Sequence, residues 1–194
     1  MNSMEKYLRP TEIIDWTHPE VSRLAGLIAA HDTDKTETAR RCFEWVRDNI
    51  KHSHDYRLSP VTCSASEVLE AGTGYCFAKS HLLAAVLRAN GIPAGFCYQR
   101  LSRDDKGRPF VLHGLTAVHI PRFGWYRIDP RGNRTDIDAQ FTPPVERLAF
   151  RVRLPEEADL PEIWTDPLPV VVEALRLYTT WDALWENLPD IELL

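Results

Sequence analysis

The chain has 194 residues, 44% of them hydrophobic, enough for one good core and too few for a second catalytic domain. Its formal net charge of −5 is mild, and Lys and Arg are interspersed with Asp and Glu, so no basic stripe marks a nucleic-acid surface and no nucleic-acid partner is expected. The first ten residues lack an apolar signal core and no apolar run approaches the ~18 residues of a membrane span, which makes a cytoplasmic protein without a membrane partner the expectation. Cys42, Cys63, Cys76 and Cys97 are far apart and form no C-x-x-C pair, which suits neither a disulfide framework nor a common zinc site.

Thr17-His18-Pro19-Glu20 has capping-box spacing ahead of a helix with Val21, Leu24, Leu27 and Ile28 on one face, expected to end near His31-Asp32. A second helix places Ala39, Cys42, Phe43, Val46 and Ile50 on one stripe, making Cys42 a core residue. His52-Ser53-His54-Asp55-Tyr56 then reads as a polar loop; as a strand, its H-x-H would put two imidazoles on one face and could begin a metal site. Ser64-Ala65-Ser66-Glu67 repeats the capping-box spacing before a short helix from Val68 to Ala71, stopped by Gly72.

Thr73-Gly74-Tyr75 leads into a helix that starts at Cys76, carries Leu82, Leu83, Val86 and Leu87 on a broad apolar face, and stops at Gly91-Ile92-Pro93. A cysteine in the first turn meets unpaired N–H groups and the positive end of the helix dipole, which favours a thiolate. His81 lies five residues on, about 140° further around the helix, and cannot be the base for that cysteine.

Past Ile92 the period changes to two. Phe96 to Leu101, Val111 to Ile120 and Trp125 to Asp129 read as an antiparallel meander, with turns at Asp104-Asp105-Lys106-Gly107 and Pro121-Arg122-Phe123-Gly124. Helices followed by a meander give an α+β class. His113 and Asp129 share parity and in a hairpin become opposed or diagonal neighbours on one face; His119, roughly 20 Å along the same strand, cannot serve the same cysteine. Arg147 to Val152 suggests a further short strand, and Leu154 to Pro169 a proline-rich acidic connector over the surface, possible cover for a cleft. Two short helices follow, striped by Val171, Ala174, Leu175 and Tyr178, then by Trp181, Leu184, Trp185 and Leu188. The expected organisation is a domain over 1–153 with the 154–194 segment docked on it.

Cys76, His113 and Asp129 in that order supply a nucleophile, a general base and an orienting carboxylate. Gly74-Tyr75-Cys76-Phe77-Ala78-Lys79, then Leu87-Arg88-Ala89-Asn90-Gly91-Ile92-Pro93-Ala94, resembles the nucleophile segment of the transglutaminase-like superfamily. His113-Gly114-Leu115-Thr116-Ala117-Val118 and Gly124-Trp125-Tyr126-Arg127-Ile128-Asp129-Pro130 are similar to its histidine and aspartate blocks, the resemblance covering roughly 40–133. It implies a papain-like α+β fold, the cysteine helix packed on an antiparallel sheet, and thiol chemistry on a peptide or other amide substrate with Cys76, His113 and Asp129 as catalytic residues and no cofactor or metal. Hydrolysis is favoured over crosslinking, because no calcium loops of the animal crosslinking enzymes are recognisable. Two departures bear on the cleft: the family's Ala-Arg is Ala94-Gly95, and its His-Ala-Trp is His113-Gly114-Leu115. The oxyanion hole is expected to use the Cys76 N–H and one further donor, with Gln99, Tyr56 and Tyr75 as candidates. The competing readings are a non-catalytic member binding protein through its aromatic tail, and a metal hydrolase using His52, His54 and a third histidine.

Overall fold

A computed structural model describes residues 4–30 and 34–191. Its centre is helix α5 (Cys76–Ala89), buried from Cys76 through Arg88, with its polar residues Lys79, Ser80, His81 and Arg88 each hydrogen-bonded inside. One side of α5 receives α1 (Pro19–Ala29), α2 (Lys35–Asn49) and α4 (Ala65–Ala71). A four-stranded sheet covers the other, built from β3 (Ala94–Ser102), β4 (Phe110–Ile120), β5 (Gly124–Ile128) and β6 (Ala158–Asp159) in the order β5-β4-β3-β6, antiparallel throughout.

Local signals explain most boundaries. The Ser64 hydroxyl accepts from the Glu67 N–H while the Glu67 carboxylate accepts from the Ser64 N–H, a complete capping box, and Gly72 ends α4 at φ 64°. Asp34 caps α2 by accepting from the Thr36 N–H at 2.9 Å. The expected box at Thr17 does not form: Pro19 opens α1 and His18 is its uncapped N-cap. Leu27, expected on the buried stripe, is 61% exposed, because Ile28 and Leu24 already fill the contact with the core. The predicted end near His31-Asp32 lies outside the described residues.

The His52–Tyr56 stretch is not a loop. Lys51–His52 form β1, parallel to β2 (Thr73–Gly74) with His52 opposite Gly74, and Ser53–Tyr56 make a single helical turn, α3. Helix–strand succession breaks the alternation that would have put both imidazoles on one face. Arg147–Val152 is likewise no strand; it makes one bridge, Gln140 to Arg147, and otherwise runs irregularly past the sheet.

The 154–191 segment wraps the domain. β6 lies on the outer edge of β3, Trp164 bridges Phe96, and α6 (Pro169–Leu177) and α7 (Trp181–Glu186) return across the helical side. Arg88 ties these layers together: its guanidinium donates to the carbonyls of Ala94, Arg9 and Thr165 at 2.5–3.1 Å. Among the described residues no helix is long and apolar enough to cross a membrane.

Candidate active site

Cys76 is the first residue of α5, with Tyr75 as N-cap. The Tyr75 side chain makes no capping bond, because its hydroxyl donates instead to the Trp181 carbonyl, and no acidic residue occupies the first turn. The N–H groups of that turn are therefore not neutralised by the chain itself. Facing Cys76 is β4. The Gly114 N–H points at Cys76 Sγ at 3.5 Å, and His113 adjoins it.

His113 Nε2 meets Asp129 Oδ2 at 2.7 Å, which leaves Nδ1 as the ring nitrogen free for the Cys76 thiol. Asp129 lies one residue beyond β5 and is fully buried. Burial would raise its pKa, yet His113 and the N–H groups of Arg131 and Ala149, the latter two each 3.1 Å away, hold it below the usual carboxylate range. Burial would equally push His113 down, but Asp129 and the facing Cys76 outweigh it and raise the imidazole well above its ordinary value. The arrangement favours an imidazolium between a carboxylate and a sulfur. Burial pushes the other thiols up, Cys42 and Cys97 to about 12 and Cys63 to about 11.

Two supports of this trio carry no signal in the sequence pattern. Asp55, on α3, receives both Arg131 nitrogens at 2.6 and 2.8 Å and Arg134 at 3.0 Å, so it anchors the turn that immediately follows Asp129. Lys79, one turn after Cys76 and fully buried, donates to the carbonyls of Ile50 and Arg47 and is pushed down to about 7 by burial and by Arg131. It fastens α5 to the segment that carries His52.

Cys76 and His113 open into a cleft of about 380 Å³, walled also by His52, Phe150, Trp185 and Leu188. A larger hollow, about 800 Å³, lies between α1, α2 and α4 but holds no cysteine. The donors expected beside the Cys76 N–H are engaged elsewhere. Gln99 binds Asp159, Tyr75 binds Trp181, and Tyr56 lies exposed with Lys51 over its ring. His52 does line the cleft, but burial and Arg131 keep it neutral, and its Nδ1 has no hydrogen-bond partner. His54 stacks on Trp185 at 3.9 Å between centroids, so it is a packing residue of the cleft wall. Among the described residues no group of three or more His, Cys, Asp or Glu is disposed to hold a metal.

At both departures from the family pattern the glycine sits where a side chain would collide. A Cβ on Gly114 would stand 2.6 Å from Phe77 Cδ1, so the ring next to Cys76 fills the space that an alanine would use. A Cβ on Gly95 would stand 2.7 Å from Ile163 and 2.8 Å from the Trp164 carbonyl, where the returning 163–164 segment crosses β3.

Residues 22–130 match the transglutaminase-like superfamily, more than half of the chain. The chain belongs to that superfamily. Its fold is similar to a candidate cysteine protease of Cytophaga hutchinsonii, with TM-score 0.54 and 19% identity over 68% of this chain and 43% of that one. The periplasmic domain of TgpA from Pseudomonas aeruginosa aligns with TM-score 0.46 and 19% identity over 64% of this chain and 45% of that one. This chain thus spans less than half the length of either, and none of the curated proteins compared matches it. The transglutaminase-like fold accounts for the α+β class, a cysteine-bearing helix against an antiparallel sheet.

Proposed function

We propose that the protein is a cysteine amidase or peptidase of the transglutaminase-like superfamily, with Cys76 as nucleophile, His113 as general acid and base, and Asp129 as the group that orients His113. The observation that carries this reading is the buried His113–Asp129 contact at 2.7 Å directly beside a cysteine at an uncapped helix N-terminus. In the first half-reaction the Cys76 sulfur attacks the amide carbon, the C–N bond breaks, and the His113 Nδ1 proton passes to the leaving amine. In the second, His113 takes a proton from water, whose oxygen attacks the thioester and releases the acid and the thiol. Asp129 keeps Nε2–H directed at itself in both halves, so Nδ1 is the atom that exchanges protons. The Cys76 N–H, at the dipole end, supports the tetrahedral oxyanion.

The test is competitive alkylation with iodoacetamide near pH 6, mapped by mass spectrometry. Cys76 is expected to react at least tenfold ahead of Cys42, Cys63 and Cys97, and His113→Ala to remove that lead by about 10²-fold, the usual weight of a positioned acid–base group. Equal sluggishness of all four thiols in the native chain would refute the assignment. In a preparation with an amide substrate, Cys76→Ala is expected to abolish turnover and leave the fold intact.

A further inference from the structure

In an antiparallel strand successive residues address opposite neighbours, and each sends its N–H and C=O to the same side. On β4 the His119 N–H donates to Pro93, on the β3 side, so the odd residues face β3 and the even ones face β5. β5 pairs only as far as Thr116. The next two even residues therefore present their N–H groups from an edge that β5 does not cover, and both are occupied. Gly114 donates to Cys76 Sγ, and Leu112 donates to the carbonyl of Pro189 at 2.7 Å.

We propose that the segment Asn187–Ile191 is a placeholder on a peptide-binding edge of β4, and that the substrates are extended polypeptides whose backbone displaces it to take the Leu112 N–H. This deepens the reading above and rests on Cys76 being the nucleophile. The register supports it. Gly114 and Leu112 are two residues apart, roughly 7 Å along the strand, which is also the spacing between successive same-side carbonyls of an extended peptide. A chain that delivers its scissile carbonyl to Sγ beside Gly114 thus carries a second carbonyl to Leu112, in the manner of strand addition to an open edge.

The placeholder is held by few polar groups, with buried Pro189 and the partly buried Leu188 and Ile191 packing beside them. Its backbone makes that one bond to β4, and its main anchor is Asp190, which receives Arg100 Nε and Nη2 at 2.7 Å each while remaining one-third exposed. Leu188 and Trp185, just before it, line the same cleft as Cys76. Withdrawal of the segment therefore widens the cleft at the place where the free edge appears.

The experiment compares two reagents on the full chain, on a chain ending at Glu186, and on Asp190→Asn. An N-acyl dipeptidyl fluoromethyl ketone carries peptide-backbone carbonyls and alkylates the Cys76 sulfur, forming C–S as C–F breaks and fluoride leaves; iodoacetamide carries no peptide backbone. Removal of 187–194 is expected to speed Cys76 labelling by the peptidyl reagent about tenfold, equivalent to about 1.4 kcal/mol, while iodoacetamide labelling changes less than about twofold. A synthetic 187–194 peptide added back should slow it again. Asp190→Asn, which leaves the chain intact, should give a smaller acceleration in the same direction and decides the matter if the shortened chain does not fold. Unchanged or slower peptidyl labelling, or equal acceleration with both reagents, overturns the proposal. If iodoacetamide fails to label Cys76 preferentially in the full chain, it is the nucleophile assignment that falls instead.

Discussion

The two ends of α5 are treated in opposite ways. At its C-terminal end Arg88 donates to the nearby Ala94 carbonyl and to two carbonyls from distant segments, Arg9 and Thr165, and Asn90 Nδ2 donates to Ala25 and Val86 carbonyls at 3.1 and 2.9 Å. At its N-terminal end no side chain caps the helix, and the sulfur of Cys76 sits against a lone strand N–H. The C-terminal end is tied by side chains that reach other segments, whereas the first turn, at the thiol, has no side-chain cap and is tied only from Lys79 onward. One helix can do both because a buried rod transmits position along its length without sharing its hydrogen bonds.

The largest effect expected at the closed end comes from Arg88→Met. It strips donors from the carbonyls of Arg9, Ala94 and Thr165, each unsatisfied acceptor costing about 1–3 kcal/mol. A loss of about 3 kcal/mol or more in urea unfolding is expected, with little change in Cys76 alkylation of the remaining folded protein. If reactivity fell in step with stability, the two ends would not be separable.

Midway along the helix, His81 gives a pH dependence. Burial pushes it down to about 4, against the help of the Cys63 carbonyl that its Nδ1 contacts. The folded value lies below the ordinary one, so the unfolded chain takes the proton first. Stability should therefore fall as pH drops from about 6.5 to 4, by on the order of 2–3 kcal/mol. Thermal melts of His81→Gln across that range are expected to show a flatter slope than the native chain; an unchanged slope would remove His81 from the account.

At the open end, Gly114→Ala drives a methyl into Phe77 and should cost about 1–3 kcal/mol as overpacking. It should also slow Cys76 alkylation, because Phe77 is the next residue. Gly114→Ala with Phe77→Val is expected to recover part of both, and failure to recover either would assign the glycine another role. Asn90→Ala is the smallest change, about 1 kcal/mol in a denaturant midpoint with Cys76 reactivity untouched.

What could be read from the sequence follows the range of the interactions. The Ser64–Glu67 box, the Cys76 helix and the strand parity of His113 are set within a few residues or by a simple period, and each is found in the fold. The His113–Asp129 pairing was legible as parity, although Asp129 stands one residue past the end of β5 and reaches across diagonally. Asp55 was hidden because its partners are 76 and 79 residues away and neither sits in a periodic element. β1 and β6, two residues each, are below any periodicity, and Arg147–Val152 has the composition of a strand but makes only the Gln140–Arg147 bridge. The acidic connector contributes Glu157 to the cleft, but the wall beside Cys76 includes Trp185 and Leu188, whose stripe the sequence offers as docking surface for the core or as a partner-binding tail.

The hydroxyl of Tyr75, adjacent to Cys76, is bonded to a carbonyl 106 residues further along the chain. In chain order, Cys76, His113 and Asp129, and the elements packed on both faces of α5, all precede Trp181. The thiol and its packing partners thus come from an earlier stretch of the chain, whereas Trp185 and Leu188 of the cleft wall come from a later one. The bond from Tyr75 to the Trp181 carbonyl therefore couples the start of the Cys76 helix to the docking of α7.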